Sequence, residues 1–309
     1  MAAKIKGKYI DFNDVGTTTS DAWSADKIIS YYATITNPFD QDLNTTDNVT
    51  FNSVDITSGL YLPTTTTTDG IIYQDSNIIF HTYGTDNLYL GKGTGNFTST
   101  GTGENIGIGI DILKSVTTGY RNFGAGNDSL NKLTSGTGNV AIGEGAMKNS
   151  LTATGNFAFG LASLYDTNGA WNVAIGNTSQ RLNETGDGNV GIGISTLYSN
   201  VSGDYNTAIG YGAGYGVLGT GNVLLGHFAG FVNPGSNKLY IANSNTATPL
   251  IYGEFDNGFI TINGDLTSTG TIKAAAYKSS DGSAGATTTF TTHDSKTVTV
   301  KNGLIVSVV

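Results

Sequence analysis

The sequence predicts an all-β fold, a repetitive β-solenoid (β-roll) of about eight coils of 16–17 residues. It also predicts small β-rich flanking modules and a short N-terminal helix. Three observations support the solenoid. A pattern of asparagine, apolar residue, small residue, apolar residue and glycine recurs at nearly constant spacing. Glycine, with 44 copies, is too frequent for long helices. The chain is 38% hydrophobic and 10% aromatic, which is too apolar for a disordered polymer.

The repeat begins with an asparagine, and successive asparagines lie 16 or 17 residues apart. The eight are Asn105, Asn122, Asn139, Asn156, Asn172, Asn189, Asn206 and Asn222. Each copy ends four places later in a glycine: Gly109, Gly126, Gly143, Gly160, Gly176, Gly193, Gly210 and Gly226. A degenerate first copy starts at Asn87, and a closing variant starts at Asn237. Because glycine tolerates positive φ at corners and asparagine amides can bond from coil to coil, we expect both columns to form a structural ladder.

Alternation within the repeat predicts which side chains face the core. Residues one and three places after each asparagine, such as Val140 and Ile142, are mostly apolar and share one face of a strand. We expect that face to be the core. The residue between them, such as Ala141, is small in all but the last copy, which suggests that a neighbouring backbone packs on the reverse face. A third core column lies eight places after the asparagine: Leu113, Leu130, Met147, Leu164, Gln180 and Leu197.

The energetics of a single coil favour an assembly of several chains. One coil offers about three core side chains, whose burial is too small to offset the conformational entropy of ordering the whole coil. Stacking between coils must therefore contribute, and burial against sister chains would contribute further. We therefore expect a homotrimer, with the small-residue face against the other copies.

The repeats resemble the head repeats of phage tail-fibre and related adhesin proteins. The resemblance rests on the pentapeptide and the period, as in NVGIGISTLYSNVSGDYNTAIGYGAGYGVLGTGN, and covers roughly residues 87–245. Those heads are similar to the trimeric autotransporter adhesins, so the resemblance implies a homotrimeric β-roll. It also implies a non-enzymatic virion fibre, on head or tail, that binds a host surface. Two departures are an absent signal and membrane anchor, and an absent helical self-cleaving chaperone domain.

Composition shifts predict five segments. From the N-terminus these are a virion-attachment segment (1–35), a β-rich connector (36–86), the β-roll (87–245), a β-ribbon or shaft (246–278) and a C-terminal β-hairpin tip (279–309). The first segment includes a short helix near Trp23 to Tyr32. In the fourth, Asp256-Asn-Gly258 and Asn263-Gly264 are hairpin signals, and Asn302-Gly303 is the strongest such signal in the tip.

Charge and composition limit the partners. A net charge of −9 without a basic patch disfavours nucleic acid, and no apolar run is long enough to insert into a membrane. The absence of cysteine excludes disulfides and thiolate metal sites, and we expect no cofactor. The expected partners are two further copies of the chain, other virion proteins through the N-terminus, and host surface glycans. The expected location is the surface of the virion, after assembly in the host cytoplasm.

Two alternative functions start from other features. The stronger is a tailspike-like polysaccharide depolymerase, because Asp111 and Asp128 occupy one column and Asp187 and Asp204 another. Neighbouring coils lie about 4.8 Å apart, close to the roughly 5–5.5 Å between the carboxylates of a retaining glycosidase. The other alternative is a bacterial surface adhesin.

The remaining motifs give weaker evidence for a nucleotide or metal site. The G-x-G-x-x-G stretches at 186–191 and 214–219 follow from the repeat rather than from a βαβ unit. His81, His227 and His293 are isolated from one another.

A ridge of aromatic and cationic side chains is the candidate binding site. Nine places after each asparagine, directly after the core column, this position holds Tyr165, Arg181, Tyr198, Tyr215 and Phe231 in the later coils. Stacked at the strand spacing, these side chains would form an outward ridge suited to sugar rings. The alternative is that the ridge only stabilises the stack or fills the contact between chains.

Overall fold

The computed structural model describes residues 62–232, 234–270, 288–291, 297–301 and 304–308. These residues form seventeen strands and no helix. The strands are β1 Ile72–Gln74, β2 Asn77–His81, β3 Leu88–Leu90, β4 Ile106–Ile108, β5 Phe123–Ala125, β6 Val140–Ile142, β7 Phe157–Phe159, β8 Val173–Ile175, β9 Val190–Ile192, β10 Thr207–Ile209, β11 Val223–Leu225, β12 Lys238–Ile241, β13 Ile251–Glu254, β14 Phe259–Ile262, β15 Thr288–Thr291, β16 Thr297–Lys301 and β17 Leu304–Val308. The predicted virion-attachment segment and its helix lie outside the described residues.

The prediction of a β-solenoid is confirmed. Strands β3 to β12 pair in parallel, each with the next along the chain, so the chain makes about nine turns. Equivalent repeat positions face each other, as where Val140 pairs with Phe157. The degenerate first copy forms β3 and the closing variant forms β12. In β12 the asparagine position is taken by Lys238, one residue later than the sequence suggested, since Leu239 pairs with Val223.

Antiparallel strands extend the solenoid sheet at both ends. Strands β1 and β2 form a hairpin that pairs onto β3, and β13 and β14 pair onto β12, so all fourteen strands belong to one sheet. The hairpin predicted at Asp256-Asn-Gly258 is confirmed, because Glu254 pairs with Phe259. The signal at Asn263-Gly264 turns no hairpin within the described residues. Instead, the Asn263 backbone N–H donates to the Leu250 carbonyl.

A second sheet of three strands lies near the C-terminus. Strand β15 pairs antiparallel with β16, and β16 pairs antiparallel with β17. Lys301 is opposite Leu304, so β16 and β17 pair antiparallel from their adjoining ends. This confirms the hairpin predicted from Asn302-Gly303.

The prediction that the flanking apolar residues face the core is wrong. In β6 the middle residue, Ala141, is fully buried, while Val140 and Ile142 are partly exposed. The reason is the narrow interior of each coil. A Cβ added at Gly124 would lie 2.5 Å from a methyl group of Ile112, an interior side chain of the preceding coil. The middle column is therefore small because it faces the chain's own interior, and its size gives no evidence for a neighbouring chain.

The third predicted core column is confirmed as fully buried. It fills the interior opposite the sheet, and its members take positive φ: Leu113, Leu130, Met147, Leu164, Gln180 and Leu197. Left-handed backbone is uncommon for side chains of this size. Further interior positions lie one residue before this column and three residues after it, as at Ile112 and Val116. Two apolar clusters result, one from Tyr89 to Ala174 and one from Leu197 to Leu224.

Candidate functional site

The asparagine column forms a buried ladder along the solenoid. Asn139 shows the pattern: its Nδ2 donates to Asn122 Oδ1 at 2.9 Å and to the Ala153 carbonyl at 2.7 Å. Its backbone N–H also donates to Asn122 Oδ1, at 3.1 Å. The ladder ends where the Lys238 backbone N–H donates to Asn222 Oδ1. Because these amides are buried and use both ends of the side chain within the fold, they act in structure rather than ligand binding.

The glycine column forms the corner that follows each strand. Gly143 has a φ of +134°, and a Cβ placed there would lie 2.5 Å from the Gly160 carbonyl oxygen of the next coil. The same approach recurs at Gly193, where the distance to the Gly210 carbonyl oxygen would be 2.7 Å. Only glycine satisfies both the backbone conformation and this close contact.

The first aspartate pair is occupied by neighbouring side chains. Asp111 forms an ion pair with Lys114 at 3.0 Å, and Asp128 forms one with Lys148 at 2.9 Å. Asp128 also accepts a hydrogen bond from Asn131 Nδ2. The bond to Asp128 raises the pKa of Lys148, so that cation is held against the carboxylate. Both aspartates thus have salt-bridge partners on a partly exposed surface.

The second aspartate pair belongs to a ladder of its own. Asp187 Oδ1 accepts the Ala170 backbone N–H at 2.6 Å, and Asp204 Oδ1 accepts the Asp187 backbone N–H at 2.8 Å. Each carboxylate therefore tethers its coil to the preceding one. The G-x-G-x-x-G stretch at 186–191 passes through the same corner into β9, a strand rather than the helix that a dinucleotide site requires.

The described histidines are far apart in sequence and form different contacts. His81 is buried, with Nε2 2.7 Å from the Thr94 carbonyl and its ring stacked on Phe97. Burial lowers the pKa of His81, opposed by that hydrogen bond. His227 is exposed beside Tyr211, and His293 lies outside the described residues. The part of the chain that the structure describes holds no group of three or more histidine, aspartate or glutamate residues able to bind a metal.

The predicted ridge does form a stack along the later coils. Tyr198 and Tyr215 are parallel within 2°, with centroids 4.8 Å apart, and Phe231 continues the stack 5.0 Å from Tyr215. Arg181 lies over the Tyr165 ring at 4.9 Å. Because consecutive rings cover one another's faces, the ridge presents ring edges, hydroxyl groups and the Arg181 cation to solvent. At its N-terminal end an open groove of about 180 Å³ is lined by Asp128, Glu144, Gly145, Lys148, Leu161, Ala162 and Tyr165.

A continuous apolar face is the feature that sequence reasoning missed. The residues flanking the middle column, assigned to the core from their alternation, instead lie on the outer face of the sheet. They expose large apolar side chains along the solenoid: Leu88, Leu90, Ile106, Ile108, Phe157, Phe159, Ile192 and Ile209. Period-2 alternation identifies two faces of a strand but does not say which one faces inward.

Comparison of the chain with protein-family models, with curated proteins and with solved structures finds no match. Among the residues described, no helix has the length and apolar character needed to span a membrane.

Proposed function

We propose that this protein is a non-enzymatic structural fibre of a bacteriophage virion, assembled from three copies and exposed on the particle surface. The observation that carries the proposal is the apolar outer face of the solenoid sheet. Exposed apolar patches of this extent are typical of protein interfaces rather than of isolated soluble chains. The phage assignment and the number of copies derive support from the resemblance of the repeats to trimeric fibre heads.

Self-association explains the exposed apolar columns better than a solitary chain does. Phe159 is 49% exposed and Ile192 is 37% exposed, although both lie in regular strands. At about 25 cal/mol per Å² of apolar surface, covering a column of such side chains would contribute substantially to stability. A second copy offers the same columns at the same spacing along its axis, so coils of different chains can interdigitate in register.

Surface binding is the second part of the proposal, and the ridge supports it. Tyrosine hydroxyls and the Arg181 cation are available to a ligand along one edge of the solenoid. We therefore propose that the ridge contributes to adhesion to host surface glycans through edge and hydrogen-bond contacts. A bacterial surface adhesin would use the same geometry and is the alternative within this class.

A polysaccharide depolymerase is the alternative from a different class. Its candidate carboxylates have other roles in the fold: Asp111 and Asp128 are ion-paired, and Asp187 and Asp204 accept backbone N–H groups. These partners support the non-enzymatic proposal. Incubation of the protein with polysaccharide from a susceptible host should release no new reducing ends. Release that is abolished by Asp111→Asn with Asp128→Asn would instead establish the hydrolase.

Molar mass in solution tests the assembly. Light scattering on the purified chain should give three times the chain mass of 32.0 kDa. The variant Phe159→Lys with Ile192→Lys should dissociate the assembly, because it places charges within the covered face. Leu151→Lys is the matched control: Leu151 is 46% exposed but lies outside the two apolar columns. A folded monomer from the unmodified chain would overturn the proposal.

A further inference from the structure

The residue directly before each asparagine, or before Lys238 in the last coil, forms a column of its own in left-handed backbone. Its φ values lie between 51° and 72° in all ten coils. Eight members are glycine or carry a polar or charged side chain: Asp86, Glu104, Arg121, Gly138, Gly155, Gly188, Gly221 and Asn237. The other two are Trp171 and Tyr205, both with φ of 56° and both with 69% of their surface exposed. Large aromatic side chains are therefore placed where backbone conformation disfavours them and packing does not bury them.

Local stability does not account for these two residues. A bulky residue in left-handed backbone is strained, and glycine at four positions of the same column shows that the fold is built without a side chain there. Burial of the rings does not offset the strain, since both are among the most exposed large side chains described. The interior column, as at Leu113, adopts the same backbone conformation but buries its side chains, so the exposure of these two rings is the feature that packing leaves unexplained.

Each ring rests on bare backbone of the preceding coil. A Cβ added at Gly155 would lie 2.6 Å from Trp171 Cδ1, and one added at Gly188 would lie 2.8 Å from Tyr205 Cδ1. Each ring therefore packs against a glycine of the preceding coil, where a side chain would leave no room for it. Within the described part of the chain no other ring stacks on either of them. Unlike the ridge tyrosines, Trp171 and Tyr205 keep an aromatic face available to a ligand.

Two carboxylates are fixed beside these rings. Asp204 directly precedes Tyr205, and Asp187 lies on the coil between the two rings. Their bonds to backbone N–H groups hold both in place. Neither forms a salt bridge within the described residues. Since Trp171 and Tyr205 lie on alternate coils, their backbones are about 9.6 Å apart, twice the strand spacing. The surface combines two open aromatic faces with two unneutralised acceptors.

We propose that Trp171 and Tyr205 form a platform that binds a saccharide of pyranose rings carrying no acidic groups. The apolar C–H face of a pyranose stacks on an aromatic ring, while its hydroxyl groups donate to carboxylates. An acidic glycan would be repelled by Asp187 and Asp204. This site is separate from the ridge and needs neither the trimer nor a virion, so it goes beyond the proposed function.

Tryptophan fluorescence reports directly on this platform. The chain has two tryptophans, so Trp23→Phe leaves Trp171 as the only reporter. Oligosaccharides of glucose, galactose, mannose and N-acetylglucosamine, a glucosamine oligomer and a galacturonate oligomer serve as probes. At least one neutral or amino sugar should change the Trp171 emission saturably, and galacturonate should not. In that background Tyr205→Gly should weaken binding about tenfold, as expected for loss of one stacked ring.

Glycine variants separate binding from folding. Because the column already contains glycine, Trp171→Gly and Tyr205→Gly should leave the melting temperature unchanged or higher while calorimetry shows weaker sugar binding. Arg121→Gly, in the same column, is the control that should bind like the parent, and Tyr165→Ala tests independence from the ridge. Absence of saturable binding to every neutral and amino sugar would overturn the proposal. A change in molar mass in the Trp171 and Tyr205 variants would also overturn it, by placing the rings in a contact between chains.

Discussion

Two stretches of the solenoid share one backbone design and fill it with different chemistry. The apolar coils, residues 105–171, contain Leu113, Leu130, Met147 and Leu164 in the interior column that follows the corner. The polar coils, residues 172–205, contain Gln180 and Leu197 in that column, and their other interior positions include Ser179, Asn183, Thr196 and Asn200, all fully buried. Both stretches have the same parallel register and the same asparagine ladder.

The interior of the polar coils is hydrogen-bonded almost throughout. Gln180 Nε2 donates to the Val173 carbonyl at 2.7 Å. Asn183 donates to the Gly186 carbonyl and accepts the Gly186 backbone N–H, and Asn200 forms the same pair of bonds with Gly203. Buried polar groups satisfied in this way avoid most of the desolvation penalty.

The apolar coils differ at two of their few polar side chains. Ser163 and Thr167 are bonded to nearby backbone, as in the polar coils. Ser129 and Ser150 are also buried, and neither hydroxyl has a hydrogen-bond partner among the described residues. The comparison teaches that the asparagine and glycine columns specify the coil, while the interior needs only to be either apolar or internally bonded.

Substitution of a corner glycine should be equally damaging in both stretches. Gly143→Ala in the apolar coils and Gly193→Ala in the polar coils each place a methyl group against the carbonyl of the next coil, at left-handed φ. Backbone strain and overpacking together should cost about 4 kcal/mol. Chemical denaturation of the two variants should give similar losses. A loss confined to one stretch would show that the corners do not contribute equally.

The repeat period was enough to predict the solenoid, its strands and the two columns that build its ladder. Which face of each strand points into the coil could not be predicted. Alternation in a strand such as β6 defines two faces but does not show which one is buried. Only the small cross-section of the coil decides that Ala141 faces inward. The sequence hint available was the absence of large residues at that position in seven of eight copies.

Only one of the two candidate sites could be predicted from the sequence, for a related reason. The ridge was identifiable because its members follow a core column and recur in register. Trp171 and Tyr205 were not, since their column otherwise holds glycine and polar residues and therefore has no aromatic pattern. The left-handed backbone shared by the ten members becomes visible only in the structure.

Exchanging interior residues between the two stretches should destabilise the apolar coils much more than the polar coils. Leu164→Gln places an amide among apolar side chains without partners and should cost about 3–5 kcal/mol. Gln180→Leu removes a bonded amide, while the Val173 carbonyl keeps its place in the β8–β9 ladder. Its effect should stay within about 1 kcal/mol. Urea denaturation of both variants measures the two free energies of unfolding.

A conservative substitution at the same position controls for the change in side-chain volume. Leu164→Met keeps the site apolar and should cost less than about 1.5 kcal/mol. If Leu164→Gln proved as mild as Leu164→Met, the apolar coils would be able to satisfy a buried amide, and the distinction between the two stretches would be lost.

The smallest predicted effect concerns single hydroxyl groups. In the polar coils Ser179 Oγ donates to the Gly191 carbonyl at 3.1 Å and lies 2.6 Å from Thr196 Oγ1. Ser179→Ala should therefore destabilise by about 1 kcal/mol, since it removes a bond and leaves Thr196 with fewer partners. In the apolar coils Ser129→Ala removes a hydroxyl that has no partner among the described residues and should be neutral or stabilising by up to about 1 kcal/mol. Differential scanning calorimetry on the two single variants and their combination resolves the signs. Equal destabilisation by both would mean that the Ser129 hydroxyl is bonded in solution, and that the apolar coils satisfy their polar groups as the polar coils do.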